Sequence, residues 1–397
     1  MKFKKKVLEN GLTIIHEKRD VPVTTVMIAV RYGALYEDES EKGIAHFIEH
    51  MTFKGTGKRN SQEIAESIEK VGGDINAFTS EEVTAYHVKL SSEYLGLAMD
   101  VLFDVFFNAS FPKEEFLKER NVICEEIKMY KDNPHSHVMD KIKTMLYEKP
   151  FGIFIGGTEG HVRAITYENL VKKYREIYVP KNTIVCVVGN NSFSDVERFV
   201  KKYCVERRGG DFGAPEIKKK ILREEESRPG VEQENLAIGF HFPKFTERER
   251  YAAEIFSAIL GEGMSSKLFS EVREKLGLAY VIKTELDLGK NYGYVVIFAG
   301  VEKGKSKEVI DICIKEFSKI GDVSEKEIED AKVQVIGGQD VESEDSSSTA
   351  MSLVVEEICE AAENHYKFSE KVKEVTINDL KKLAEKTEFA SFVLKGK

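Results

Sequence analysis

The chain has 397 residues, a net charge of −9, nine histidines, five cysteines and no tryptophan. That length predicts about two domains, each able to bury a sizeable core. The acidic balance argues against general nucleic-acid binding, and apolar runs such as residues 21–30 are far too short to cross a bilayer.

The N-terminus MKFKKKVLENGLTII is basic but lacks the apolar stretch of a signal peptide. It reads as strand, Asn10-Gly11 turn, strand. A strand over 24–31 and a helix over 41–53 follow, with Ser40 able to start the helix and Lys54-Gly55 to end it. Next come a helix over 61–71, strands over 74–79 and 84–90, and a helix over 112–132 that starts at Pro112 and stops at Asn133-Pro134. The segment 206–234 is rich in charge, Gly and Pro and reads as an exposed linker. Beyond it the order repeats: strand 235–242, helices 246–260 and 265–276, strands 279–286 and 292–299. A period of roughly 200 residues predicts duplicated domains rather than a solenoid. The expected class is α+β, with domains at 1–205 and 235–397, each an antiparallel-rich mixed sheet backed by helices. The five cysteines (Cys124, Cys186, Cys204, Cys313 and Cys359) show no close metal spacing and fit reduced core residues of a cytoplasmic protein.

The chemistry concentrates in His46-Phe47-Ile48-Glu49-His50. On a helix, residues four apart share a face, so His46 and His50 can reach one metal ion while Glu49 lies beside it. A helical histidine pair alone is often a surface accident or a hydrogen-bonded core pair. Here Ile44, Ala45, Phe47, Ile48 and Met51 give the helix a buried side, which the chemistry requires. Catalytic zinc takes three protein ligands and keeps one position for water, whose proton a neighbouring carboxylate can accept. The third ligand should come from another element, and helix 112–132 offers Glu114, Glu115, Glu119, Glu125 and Glu126. Glu119 and Glu126 share a face after two turns. Composition does not decide between Glu125 and Glu126. The strand histidine His87 and the pair His135 and His137, expected in a loop after Pro134, are read as non-ligands.

HFIEHMTFKGT, then GGDINAFTSEEVTAYH and ERNVICEEIKMYKD, together resemble the pitrilysin (insulinase) family of inverted-motif zinc peptidases. The resemblance implies a zinc endopeptidase acting on short or unfolded peptides, with Zn2+ held by His46, His50 and Glu126, and Glu49 as general base. It implies that Glu119 supports the site from behind the ligands, and that Asn76, Ala77, Phe78 and Thr79 form an edge strand binding extended peptide. Arg273 and Tyr280 match an arginine–tyrosine pair that donates to the oxyanion in the family's carboxy-terminal halves. The second half carries Ala253-Glu-Ile-Phe-Ser257 where the first has its motif, so one metal site per chain is expected. Relatives of double length form a two-bowl chamber. The resemblance therefore implies that this chain is half of such a clamshell and works as a homodimer, Arg273 and Tyr280 of one subunit completing the zinc site of the other. The acidic charge is compatible with basic peptides. A non-catalytic scaffold, or a subunit active only with a different partner chain, is the alternative; a scaffold has no chemical need for all six of His46, Glu49, His50, Glu126, Arg273 and Tyr280, and both half-sites in one chain argue against an obligate different partner.

Overall fold

The structure is a computed structural model and describes residues 3–210, 212–213 and 215–397. In chain order its elements are β1 (Phe3–Val7), β2 (Thr13–Lys18), β3 (Val23–Val30), α1 (Ile44–Thr52), α2 (Ser61–Glu69), β4 (Asp74–Thr79) and β5 (Thr84–Ser91). They continue with α3 (Leu95–Asn108), α4 (Lys113–Asp132), α5 (Pro134–Leu146), α6 (Glu159–Ala164), α7 (Tyr167–Ile177), β6 (Thr183–Gly189) and α8 (Phe193–Tyr203). The rest are β7 (Arg223–Arg228), β8 (Glu234–His241), α9 (Arg250–Gly261), β9 (Ala279–Leu288), β10 (Gly293–Val301) and α10 (Ser306–Lys319). The chain closes with α11 (Glu325–Glu342), α12 (Ser346–Cys359), α13 (Phe368–Lys373), α14 (Ile377–Ala384) and β11 (Ala390–Gly396).

Two compact units result, and neither is contiguous, unlike the segments 1–205 and 235–397 expected from the repeat. The first takes the chain up to Ile127, Phe154–Pro215 and Glu342–His365; the second takes Lys128–Ile153, Glu216–Val341 and Tyr366–Lys397. The first holds a six-stranded sheet in the order β1-β2-β6-β3-β5-β4, the second a five-stranded sheet in the order β7-β11-β8-β10-β9. Both are mixed: β2 runs parallel to β6 and β7 parallel to β11, while the remaining pairs are antiparallel.

Alternation along the strands explains why each unit needs helices on both faces. In β3, Val26, Ile28 and Val30 enter the main core with α3, together with Val185 and Val187 of β6. The opposite face, with Thr25, Met27, Ala29 and Cys186, is buried as well. Helix α12, from the second half of the sequence, covers it, and Thr25 Oγ1 lies 2.8 Å from Ser346 Oγ. The second unit mirrors this. Leu236, Ile238 and Phe240 of β8 face the helices of their own half. On the other face Gly239 meets Ile142 and Leu146 of α5, a helix from the first half, so closely that an added Cβ would lie 2.8 Å from Leu146.

Several local expectations are corrected. Helix α1 begins at Ile44 behind Gly43, whose φ of +92° suits only glycine, rather than at Ser40. Asn133 and Pro134 do more than stop α4: Asn133 caps α5 and Pro134 opens it, so His135 and His137 stand on a helix instead of a loop. The expected linker at 206–234 contains β7, an edge strand paired to β11, and its positions 211 and 214 lie outside the described residues, as do residues 1 and 2 of the N-terminal strand reading. Charged Arg223–Arg228 shows no apolar alternation, so no hydrophobic period betrays it.

Candidate metal centre

Helix α1 buries Ile44, Ala45, Phe47, Ile48 and Met51, which leaves His46, Glu49 and His50 on its partly exposed side. Helix α4 packs beside it through Phe116, whose ring stacks on Phe47 with centroids 5.0 Å apart. Phe116, Glu119 and Ile123 lie on the buried stripe of α4, and Glu126 continues it by one turn. This register presents Glu126 to the histidines and leaves Glu125 exposed, which resolves the choice that composition left open.

His46, His50 and Glu126 each offer an atom within 4.8 Å of the others, the only such group among the described residues. Glu126 Oε2 stands 3.4 Å from His50 Nε2 and 3.8 Å from His46 Nε2. Ligands at zinc distances of about 2.1 Å in a tetrahedron are separated by about 3.4 Å, so the donors already stand close to the spacing of a zinc shell. Two imidazoles and one carboxylate are also a set that suits catalytic zinc. The residues present fit the metal.

Behind these three side chains, His50 Nδ1 lies 3.1 Å from Glu119 Oε2, and Lys54 Nζ donates to Glu119 Oε1 at 2.6 Å. Burial would pull the His50 pKa down, but its hydrogen bonds to Glu119 and Glu126 prevail and push it up to about 9. Burial resists ionisation of Glu119, yet the bonds from His50 and Lys54 hold its carboxyl below the usual range. Burial and the neighbouring His50 charge, against the pull of Glu126, lower His46 to about 4, and its Nδ1 is buried with no hydrogen-bond partner. Glu49 accepts a 2.5 Å bond from Thr79 Oγ1, and burial raises its carboxyl despite that bond. A carboxyl raised toward neutrality is suited to accept and return a proton.

Asn76, Ala77, Phe78 and Thr79 lie on β4, which pairs only with β5 and forms the sheet edge. Asn76 is exposed and turns its amide oxygen to the Ala77 N–H, while Thr79 is tied to Glu49. Arg273 and Tyr280 belong to the second unit. Arg273 is exposed on a short π-type helix, Phe269–Lys275, with its guanidinium 4.7 Å from the Phe269 ring centre. Tyr280 is 50% exposed on the edge strand β9 and lies flat across Gly300, where an added Cβ would meet its hydroxyl at 2.4 Å. Of the other histidines, His137 Nε2 bonds Glu226 at 2.8 Å, and His135 packs on Phe298. The sequence does not single out Lys54 or Glu37, whose carboxylate accepts from Gly43 N and Ala45 N at the head of α1. Lys54 carried a usable signal, a cation one helical turn after His50.

A duplicated α+β chain with an inverted His-x-x-Glu-His helix and a distal glutamate belongs among the inverted-motif metallopeptidase folds. Residues 12–159 match the family model described as Insulinase (Peptidase family M16), and residues 164–335 match the one described as Peptidase M16 inactive domain. A Bacillus subtilis protein named as an uncharacterized zinc protease is 33% identical over 343 residues, covering 84% of this chain and 83% of that one. A second protein so named, from Mycobacterium leprae, is 30% identical over 396 residues, covering 95% and 87%. The chain belongs to peptidase family M16, the insulinase or pitrilysin family. Solved structures share its fold: a protease from Helicobacter pylori superposes with a TM-score of 0.92 at 24% identity over 99% of each chain. A Pseudomonas fluorescens structure titled as a peptidase M16 inactive domain gives 0.90 at 18% identity, over 100% of this chain and 98% of that one.

Proposed function

We propose that the protein is a zinc-dependent endopeptidase that cuts short or unfolded peptides. The observation that carries this reading is the convergence of His46 Nε2, His50 Nε2 and Glu126 Oε2 with the half-buried carboxylate of Glu49 alongside. Bound zinc supplies Lewis acidity, polarising a peptide carbonyl and making water acidic near neutrality. Glu49 accepts the proton of the attacking water and passes it to the leaving amine, with Thr79 holding its carboxylate in place. Glu119 and Lys54 orient His50. The free edge of β4 binds the substrate main chain in extended form, with weak dependence on side chains.

The remaining donors are Arg273 and Tyr280, both solvent-facing in the second unit, which supports a role toward another surface. In this reading two copies of the chain form a homodimer, each half of a two-bowl chamber. Residues 1–205 of one subunit carry the metal, and residues 235–397 of the other bring Arg273 and Tyr280 to the developing oxyanion. Peptide is the substrate, and the cytoplasm is the expected location.

The test is mass-spectrometric mapping of cuts in a mixed library of unstructured peptides by zinc-loaded protein and by Glu49→Gln. Cuts made by the wild type and lost in the variant support the peptidase. No cuts from folded, zinc-loaded wild type would move the reading to a scaffold or a partner-dependent subunit. For the dimer, mixing Glu49→Gln with Arg273→Ala should restore part of the activity; no recovery sinks the in-trans arrangement.

A further inference from the structure

The two metal-binding histidines are held in different ways. His50 has Glu119 on its second ring nitrogen, whereas His46 Nδ1 is buried with no hydrogen-bond partner. The His46 ring therefore takes its placement from packing and from the position of the helix turn that bears it.

That turn lacks a cap of its own. Gly43 at its head has no side chain to accept the free N–H groups. Glu37 supplies the acceptor from outside the helix: its Oε2 accepts from Gly43 N at 2.9 Å and its Oε1 from Ala45 N at 2.7 Å. Both carboxylate oxygens thus grip the backbone immediately before His46. The Glu37 side chain is fully enclosed, as is that of Lys42, whose ammonium lies 3.6 Å from Glu37 and donates to Ala34 O at 2.6 Å. Burial pushes the Glu37 carboxyl up to about 7 against Lys42 and the two N–H groups, and when ionised it also meets the positive end of the helix dipole. The opposite side of the turn is as tight. A Cβ on Gly43 would lie 2.5 Å from Gly156 O, one on Gly157 2.5 Å from Lys42 O, and one on Gly156 3.5 Å from His46 Nδ1.

Burying a carboxylate and an ammonium together is a poor route to stability, and in some proteins buried polar groups instead serve to fix one arrangement among several. We propose that Glu37 is a positioning residue for the metal centre: it sets the first turn of α1 and, through it, the place of His46. Glu37 touches neither metal nor substrate. The inference rests on the reading of His46, His50 and Glu126 as the zinc site.

The test measures zinc affinity by chelator competition, together with the visible spectrum of the cobalt(II)-substituted protein, for wild type, Glu37→Gln, Glu37→Asp and Glu126→Gln. Glutamine keeps the shape but turns a donor amide toward one of the two N–H groups. Expected for Glu37→Gln are a loss of zinc affinity of about tenfold or more, an altered cobalt band, and a fall in kcat with KM changed less than about twofold. Glu37→Asp, which keeps the charge, should fall between it and wild type, and the same readouts decide the matter from Glu37→Asp alone if the glutamine variant does not fold. A folded Glu37 variant with wild-type zinc affinity and cobalt spectrum overturns the inference, even if its Tm drops, because a purely structural role would move only Tm. If Glu126→Gln weakens zinc binding while the Glu37 variants do not, the positioning role alone fails. If wild type and Glu126→Gln bind zinc equally poorly, the zinc site itself fails and the inference with it.

Discussion

Helices α1 and α9 occupy corresponding places beside sheets of the same pattern, yet only α1 carries candidate metal ligands. In each unit three antiparallel strands, β3-β5-β4 and β8-β10-β9, continue into an antiparallel neighbour, β6 and β11, which a parallel strand then joins. Where α1 turns His46, Glu49 and His50 toward α4, the matching stretch of α9 buries Ala253, Phe256 and Ser257 completely. Ser257 Oγ donates to Thr284 Oγ1 at 2.9 Å, and Gly261 sits against Thr284 so closely that a Cβ would lie 2.6 Å away. The scaffold therefore does not supply the metal site. The site needs a helix face left uncovered by its own sheet and a second helix bringing a carboxylate to it.

The largest effect that tests this contrast is at Glu49. Glu49→Gln should lower kcat by about 10²- to 10⁴-fold while zinc content, measured by atomic absorption, stays at the wild-type level. Loss of zinc along with activity would mean that Glu49 belongs to the ligand set. Lys54 comes next, since α9 has nothing that serves its purpose. Lys54→Met removes one of the two partners, His50 being the other, that hold the Glu119 carboxyl below its usual range. Zinc affinity should fall by about 10- to 100-fold, and unchanged affinity would show that Glu119 needs no such support.

A graft sharpens the comparison from the other side. Ala253→His with Ser257→His reproduces the histidine spacing on α9, but both side chains would enter a filled core. Overpacking of about 1–3 kcal/mol is expected for each substitution, read as a lower urea midpoint with no gain of zinc. A folded double variant that binds zinc would show that histidine spacing alone is sufficient.

The sequence made the chemical face legible because helical spacing is local. His46, Glu49 and His50 lie within one turn, and β3 and β5 follow from apolar strands with clear ends, while β4 (Asp74–Thr79) lies between Gly72-Gly73 and β5. Composition left Glu126 as one of two neighbours and the resemblance alone named it, since the physical choice depends on how α4 rolls against Phe47, a tertiary fact. The exchange of α5 and α12 between halves was hidden for the same reason: an apolar stripe states that a helix face is buried, not which sheet buries it. Glu37 was hidden because its two bonds pass through a loop with no period to read. His135 and His137 stand on a helix rather than in the expected loop because Asn-Pro, which can stop one helix, can as readily begin the next.

The two exchanged helices offer the finest comparison, through their caps. Helix α5 is capped by a neutral group, Asn133 Oδ1 accepting from Ser136 N at 3.0 Å. Helix α12 is capped by a charged one, Asp345 Oδ1 accepting from Ser347 N at 2.7 Å and Ser348 N at 2.9 Å, while its other oxygen pairs with Lys89. The Lys89 bond, opposed by partial burial and aided by the two N–H groups, lowers Asp345 from its usual 3.8 to about 2. A carboxyl depressed on folding contributes stability that is present above its unfolded pKa and lost as pH falls through its folded one. Acid between pH 4 and pH 2 should therefore loosen α12 and leave the cap of α5 untouched. Asp345→Asn keeps an acceptor for the two N–H groups but gives up the charge, so its α12 should respond less to acid. The pair is partly solvated, which limits the differential change to at most about fivefold in opening. Hydrogen exchange of the α12 amides, compared between wild type and Asp345→Asn over that range, measures it. Identical acid responses would show that the cap works by geometry alone and that the two exchanged helices are held alike.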